Sequence, residues 1–427
     1  MKKLLVWLLA ACLLAAVAAV PVAWLNLRDE VDVRVPVAVI TPSDTRIARG
    51  AYLARAGNCM GCHTARDGAA YAGGRGIATP FGTVYSSNLT PDQKTGIGSW
   101  SPAHFWRAMH NGRSKDGRLL YPAFPYPNYT QMTRDDANAL FAYLGSLPAV
   151  EQARTPHALR FPYDSQVALA VWRTLYFKPG VYEADKQRSA EWNRGAYLVR
   201  GLGHCAACHS ARNALGATSE TLDLAGGLIP MQNWYAPSLA SPQEAGVGDW
   251  DRQHIVSLLK TGVSPHASAT GPMAEIVLRS TQYLTEADLG AMAQYLKELA
   301  PPASMAAPAV RAPAAGVAAR GAKLYEQHCA QCHGEQGRGV PRAYPALAGN
   351  RAVTMPSTAN LVQIVLNGGY APATEGNPRP FGMPPFVLLM DDSDVAAVLT
   401  HIRQSWGNQA SEVTPLEVNR MRGNQGR

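Results

Sequence analysis

The chain has 427 residues, enough for about three domains of ordinary size, and its 47% hydrophobic and 16% charged residues exclude a largely disordered protein. The formal net charge is +8, but the basic residues form no long run with interleaved aromatics, so nucleic acid is not expected as a partner. The 38 glycines and 31 prolines predict a loop-rich fold.

The first element along the chain is an apolar segment. Leu4 to Leu25 carry no charge and follow Lys2 and Lys3, which is about the length needed to cross a bilayer. This pattern predicts an inner-membrane anchor with the rest of the chain on the periplasmic side. Two alternatives stay open: cleavage after the signal-peptidase pattern Ala16-Val17-Ala18, and lipidation at Cys12. All three interpretations export the chain.

Six of the seven cysteines form three pairs, each spaced C-x-x-C and followed at once by a histidine. Two thiols at this spacing reach the two vinyl groups of one haem, and the adjacent imidazole becomes the proximal iron ligand. A structural zinc would need two further ligands for each pair, and a thioredoxin-like site needs no histidine. The sequence therefore predicts three covalent c-type haems. The attachment residues are Cys59, Cys62, Cys205, Cys208, Cys329 and Cys332, and the iron ligands are His63, His209 and His333.

The same phrases recur around each motif in chain order. An Arg-Gly-Ala phrase opens a helix before each cysteine pair, a second apolar-periodic helix ends at a glycine, and a closing helix follows. Thr133 and Thr285 start the first two closing helices, each with an acid three positions on, which is typical of a helix N-cap. The repeats predict an all-α fold of three tandem class I cytochrome c-like domains after the N-terminal membrane segment.

Composition changes suggest where the domains begin and end. The predicted division is a membrane segment at 1–27, haem domains at 46–150, 188–300 and 320–408, an Ala/Pro-rich linker at 301–319 and a polar, mobile tail at 409–427. The stretch from Phe161 to Phe177 is too apolar for a free linker. It predicts either a helix buried between the first two domains or a surface for a partner subunit.

Methionine is the usual sixth ligand of an electron-transfer haem. Met273 and Met383 both lie between the second helix and the closing helix of their modules, and both are predicted to bind iron. In the first module Phe124 stands at the corresponding place and cannot ligate iron. Met132 is either a ligand or an apolar staple at the helix start, while His104, His110 and Met109 lie in the segment that ends at Gly112. The first haem is therefore expected to be five-coordinate or weakly ligated.

Several longer phrases carry a family resemblance. They are Arg-Gly-Ala-Tyr-Leu before the motifs, TPFGTVYSSNLTPD at 79–92, Gly203-His204-Cys205, STQYL at 280–284 and SWGN at 405–408. Over about residues 46–408 the chain resembles the tri-haem cytochrome c subunit of membrane-bound bacterial dehydrogenases that oxidise alcohols, gluconate, sugars or aldehydes.

The resemblance implies an electron-transfer subunit without a catalytic site of its own. Its electron donor would be a separate catalytic subunit of the quinoprotein, flavoprotein or molybdenum type, and the electrons would pass to ubiquinone. The alternative is a haem enzyme in its own right, of the peroxidase or thiosulfate-oxidising type, that uses an open first haem.

Overall fold

The computed structural model describes residues 43–218, 223–301 and 313–423, together with 19–28 and the single positions 3, 7, 17, 30, 33 and 310. Three mainly helical modules follow one another, as the repeats predict. The expectation of an all-α fold needs a correction, because three short antiparallel sheets accompany the helices. In the first two modules the strands lie in the loop after the cysteine motif, and in the third they lie between the last two helices before Pro415.

The first module holds five helices and a small sheet. Its elements are α1 Asp44–Ala56, α2 Cys59–Cys62, β1 Gly76–Thr79, β2 Gly82–Tyr85, α3 Pro102–Asn111, α4 Tyr126–Tyr129 and α5 Arg134–Gly145. Strand β3, Ala158–Leu159, follows the module and pairs with β2. Helix α6, Gln166–Tyr176, then leads towards the second module.

The second and third modules repeat this plan. The second contains α7 Ala190–Ala196 with a π-helical continuation over Tyr197–Leu202, α8 Ala206–His209, β4 Gly227–Leu228, β5 Tyr235–Ala236, α9 Arg252–Thr261, α10 Gly271–Arg279, a 3-10 turn at Thr281–Tyr283 and α11 Glu286–Lys297. The third contains α12 Ala315–His328, α13 Ala330–His333, α14 Arg351–Thr354, α15 Ala359–Asn367, β6 Gly369–Tyr370, β7 Gly382–Met383, α16 Asp392–Gln404 and α17 Pro415–Gly423.

The predicted starts of α5 and α11 and the predicted ends of α3 and α9 are confirmed. Thr133 and Thr285 each accept a hydrogen bond from the backbone N–H three residues on, which satisfies a donor that the helix itself cannot. Helices α3 and α9 each stop at a glycine with left-handed backbone, Gly112 with φ 59° and Gly262 with φ 80°.

The glycine of each Arg-Gly-Ala phrase is the point where the first and closing helices of a module cross. A Cβ atom on this glycine would overlap a backbone carbonyl of the closing helix, which only a residue without a side chain avoids. The three contacts are Gly50 with Ala139, Gly195 with Ala291 and Gly321 with Ala397.

The arginine of the same phrase fixes the crossing. It forms an ion pair with an aspartate in the first turn of the closing helix in every module. The N–O distances are 3.0 Å for Arg49 and Asp136, 2.8 Å for Arg194 and Asp288, and 2.7 Å for Arg320 and Asp394. The repeated phrase is therefore a helix-packing device inside its helix. The prediction that it opens the helix is wrong, because α1, α7 and α12 begin earlier, at Asp44, Ala190 and Ala315.

The first two modules share one hydrophobic core, whereas the third has its own. Their contact is reciprocal. The Tyr52 hydroxyl of the first module donates to Asp288 of the second at 2.5 Å, and the Tyr197 hydroxyl of the second donates to Asp136 of the first at 2.7 Å. Both tyrosines follow Arg-Gly-Ala directly, and Lys323 takes this place in the third module. One residue of the repeat thus distinguishes the paired modules from the third.

The third module rests on the second through polar contacts. Arg351 forms an ion pair with Asp249 at 2.6 Å and donates to the Gly246 carbonyl at 2.7 Å. The Asn360 side chain donates to the Tyr235 carbonyl and accepts from its backbone N–H, at 2.8 and 2.9 Å. The second module therefore contacts both the first module and the third.

Both segments that flank the third domain fold further than predicted. Residues 315–319, assigned to the linker, belong to α12. The prediction of a mobile tail is wrong for Pro415–Gly423, because α17 packs on α16 with Val418 fully buried and Arg422 paired with Asp392 at 2.7 Å. Two buried valines, Val413 and Val418, give this polar segment an apolar face.

The N-terminal segment is described only near its end, where residues 19–27 are helical. Within the described residues no helix is long and apolar enough to cross a membrane. Most of the predicted span, Leu4 to Leu25, lies outside the described residues, and so does Cys12.

Candidate haem sites

Each cysteine motif is a single helical turn that ends at its histidine. The backbone N–H of His63, His209 and His333 donates to the carbonyl of the first cysteine of its own motif, at 3.0, 2.9 and 2.9 Å. This bond closes the turn and keeps two thiols and one imidazole within one short element. The structure thus brings together the three residues that the sequence assigns to each haem.

The side chain of each motif histidine is oriented by a backbone carbonyl. Nδ1 lies 2.7 Å from the Ser87 oxygen in His63, 2.7 Å from the Pro237 oxygen in His209 and 3.0 Å from the Pro345 oxygen in His333. A carbonyl oxygen only accepts, so Nδ1 carries the proton and the lone pair of Nε2 is left for a metal. Burial lowers the pKa of all three imidazoles, which keeps them in the neutral form that binds iron. This donor arrangement fits a haem.

These carbonyl partners were not identified from the sequence. Ser87 and Pro237 each stand two residues after a tyrosine, Tyr85 and Tyr235, so an alignment of those phrases would have found them. The third module departs from the spacing, because Pro345 follows its tyrosine directly.

The first thiol of each motif, in Cys59, Cys205 and Cys329, is partly buried against a hydrophobic core. Burial raises the pKa of Cys59 and Cys205 to about 12 and that of Cys329 to about 11. None of the six motif cysteines forms a disulfide, and the described residues contain no group of three or more His, Cys, Asp or Glu that could hold a metal ion. An uncharged sulfur, as a thiol or a thioether, suits such an apolar environment.

The attachment loops of the first two modules touch each other. His204, directly before Cys205, places Nε2 3.3 Å from the carbonyl oxygen of Gly57, just before the first motif. The Ser280 hydroxyl donates to the Ala56 carbonyl at 3.1 Å. Burial raises the pKa of Cys208, and the Cys62 thiol of the other module adds to the rise. The two motifs are therefore neighbours across the shared core.

The two predicted methionine ligands lie in different kinds of element. Met273 is in the first turn of α10, half-buried against the shared core. Met383 is in β7, opposite Gly369 of β6, and half-buried against the core of the third module. Both precede the closing helix, and their role as iron ligands stays a prediction.

In the first module Phe124 is half-buried, and its ring centroid lies 5.3 Å from that of Tyr129. Met132 is fully buried directly before Thr133, and Leu284 is buried in the same place before Thr285. Leucine cannot bind iron, yet Leu284 fills the same buried position in the second module. This equivalence favours the staple role for Met132.

His104 and His110 of the first module hold structural positions. His104 Nδ1 lies 2.8 Å from the Ser101 hydroxyl in the cap of α3. His110 Nδ1 lies 2.8 Å from the Thr130 carbonyl oxygen, much as Lys260 of the second module donates to Leu284. Met109 is buried in the core.

Comparison with known proteins gives a consistent result. A model of the cytochrome c family matches residues 47–148, 193–300 and 318–406, one match for each module. The chain is 38% identical over 394 residues to the cytochrome c subunit of the alcohol dehydrogenase (quinone) of Gluconacetobacter polyoxogenes, covering 88% of this chain and 84% of that protein.

Two further relatives have comparable identity. The gluconate 2-dehydrogenase cytochrome c subunit of Pantoea cypripedii is 37% identical over 400 residues, covering 89% of this chain and 90% of that protein. The fructose dehydrogenase cytochrome subunit of Gluconobacter japonicus is 34% identical over 427 residues, covering 93% of this chain and 86% of that protein.

Proposed function

This chain belongs to the cytochrome c family and carries three c-type haems, and we propose that it is the electron-relaying subunit of a dehydrogenase complex. The observation that carries the proposal is the threefold repetition of one site, in which a neutral histidine is oriented by a backbone carbonyl beside two thiols. The names of the relatives support it, because they are cytochrome subunits of alcohol, gluconate and fructose dehydrogenases.

We assign the residues of each site as follows. The cysteine pairs hold the haem vinyl groups as thioethers, and His63, His209 and His333 bind iron through Nε2. Met273 and Met383 are the sixth ligands in the second and third modules, whereas Phe124 stands at the corresponding place in the first module. When bound, the haems supply one-electron redox chemistry, with a higher potential where methionine is the sixth ligand.

The number of haems is measured directly by mass spectrometry. The full chain, produced in a host that matures c-type cytochromes in the periplasm, should carry three haem additions. The double variant Cys205→Ser, Cys208→Ser should carry two and keep the others. Two haems in the wild-type chain would contradict the assignment of one haem to each motif.

We further propose that the chain stands at the periplasmic face of the inner membrane, attached through the apolar N-terminal segment. Its electron donor is a catalytic subunit of the quinoprotein, flavoprotein or molybdenum type, and its acceptor is ubiquinone. The three modules contact one another in chain order, with the attachment loops of the first two adjacent, and such an arrangement suits transfer over several short steps.

The relay role is tested in membranes from a strain that lacks this chain. The partner dehydrogenase should still reduce a soluble artificial dye but should no longer reduce a ubiquinone analogue. The wild-type gene should restore quinone reduction, whereas the Cys205→Ser, Cys208→Ser variant should not. Quinone reduction that continues without the chain would overturn the proposal.

A further inference from the structure

Helix α6 carries an apolar stripe on its outer surface. Val167, Val171 and Leu175 are 75%, 44% and 63% exposed, and their spacing of four residues places them on one face. The opposite face carries the two buried side chains of the helix, Leu169 and Arg173, and Arg173 lies over the Tyr126 ring of the first module. An ordinary surface helix turns its apolar face inwards, but here three apolar side chains point away from the protein. The helix is therefore not buried between the first two modules, and the stripe suits an apolar surface outside the chain.

Aromatic and basic side chains are exposed near both ends of α6. Phe161, in the loop before α6, is 85% exposed, and Tyr176, in its last turn, is 37% exposed. Arg160 and Lys178 are exposed just outside the two ends of this segment. Aromatic rings and long basic side chains gather where lipid headgroups meet acyl chains, because one part of each is apolar and the other polar.

The end of the N-terminal helix is attached to α6. The Asn26 side-chain amide donates to the Ala170 carbonyl at 2.9 Å and to the Thr174 hydroxyl at 3.0 Å, and its oxygen accepts from Arg173 at 2.8 Å. Arg28 donates to the Phe177 carbonyl at 2.8 Å. The segment proposed to enter the membrane is therefore held on the same helix that carries the stripe.

The described part of the N-terminal helix is itself exposed and apolar. Val20, Trp24 and Leu27 are 69%, 68% and 57% exposed, and residues 19–27 include no charged side chain. This surface and the α6 stripe belong to two helices in direct contact. Their continuity favours a lipid bilayer over a protein partner as the surface that covers the stripe.

We propose that α6 is an interfacial helix, with Val167, Val171 and Leu175 inserted at the boundary between lipid headgroups and acyl chains. The inference rests on the proposed membrane attachment and adds a second contact, in the interior of the chain. Interfacial binding of this kind scales with the buried apolar area, so one short helix contributes modestly and acts chiefly by orienting the protein.

The orientation concerns the first module. Arg173 on the inner face of α6 lies over the Tyr126 ring at 5.2 Å, and the Phe177 ring centroid is 4.8 Å from that of Tyr126. Tyr126 follows Phe124 by two residues, in the loop where the other modules offer methionine. Helix α6 thus holds this loop of the first module towards the bilayer, where a lipid-soluble acceptor would arrive.

Hydrophobic photolabelling of the full chain tests the inference. A phospholipid with a diazirine on its acyl chain is added to membranes that contain the chain and its partner subunits, and labelled peptides are mapped by mass spectrometry. The peptide that spans 166–176 should be labelled well above the peptide that contains Leu228. Leu228 is the matched control, because it is 59% exposed and apolar but lies in the second module.

Variants sharpen the comparison. Val171→Glu with Leu175→Glu should reduce labelling of α6 to background without changing the haem spectrum, and Leu228→Glu should leave it unaltered. The wild-type experiment decides the matter even if the double variant fails to fold. Labelled N-terminal residues with an unlabelled α6 would overturn this inference and leave the membrane attachment intact. A chain unlabelled in both places would overturn both.

Discussion

The helix crossing in the third module permits a sharp test of the packing argument. Gly321 and Gly316 lie in the same helix, α12, but in opposite surroundings. A Cβ at Gly321 would overlap the Ala397 backbone carbonyl of α16, whereas a Cβ at Gly316 would meet nothing within 4 Å. Alanine at either position therefore raises helix propensity, but only alanine at Gly321 also disturbs the packing.

The expected magnitudes follow from these two terms. Replacing glycine by alanine in a helix gains up to about 1 kcal/mol. Overpacking usually costs about 1–3 kcal/mol, and the upper end applies at Gly321 because the obstructing atom belongs to a helix backbone rather than a flexible side chain. Gly321→Ala should therefore destabilise the third module by about 2 kcal/mol, a factor of about 30. Gly316→Ala should stabilise it by at most about fivefold.

Hydrogen exchange measured by mass spectrometry is the suitable assay, because the third module has its own core and can open separately. Amides of α16 should lose protection by about 30-fold in Gly321→Ala and keep or gain protection in Gly316→Ala. Equal protection in the two variants would refute the role of Gly321 as a crossing residue. By extension, it would weaken the same interpretation of Gly50 and Gly195.

Three further predictions follow. Phe124→Met should raise the potential of one haem and convert a high-spin signal to low-spin, as measured by spectroscopic redox titration, because a thioether then reaches the sixth position. Alanine in place of either predicted methionine ligand should lower one different potential, while Met132→Ala should leave all three spectra unchanged. Acid should loosen the contact between the first two modules, because Asp288 takes part in it as a carboxylate. Burial, the largest single effect, raises the pKa of Asp288, but the hydrogen bonds from Arg194 and Tyr52 help to bring it below its ordinary value.

The sign of the acid effect follows from that pKa. A carboxyl whose pKa is lower in the folded state stabilises the fold at any pH above its unfolded pKa of 3.8. This contribution is lost as the pH falls through the pKa of the folded state. Unfolding midpoints should therefore be level near neutral pH and fall below about pH 4. Asp288→Asn should remove part of this fall, and an unchanged pH profile would contradict the argument.

The outcomes that oppose the ligand assignments are equally distinct. Loss of a low-spin methionine signature in Met132→Ala would place that residue on the first iron and refute the staple role. Three equivalent low-spin haems, insensitive to both Phe124 and Met132, would show that the alignment of the first module with the other two is at fault.

The sequence by itself determined the chemistry and the ends of several helices. A C-x-x-C-H motif needs only five consecutive residues, and the caps at Thr133 and Thr285 are set by residues three positions away. Interactions of this range can be inferred from spacing alone, because the local backbone fixes their geometry. The three repeats could be recognised in the same way.

Only the tertiary structure decided how the modules combine. The hydrogen bond from Tyr52 to Asp288 joins residues 236 positions apart, and the bond from Ser280 to Ala56 spans 224. The packing of α17 on the third module and the outward stripe of α6 depend in the same way on distant segments. Spacing along a chain does not specify such contacts, because which faces meet depends on the crossing of whole helices and on how their side chains interlock.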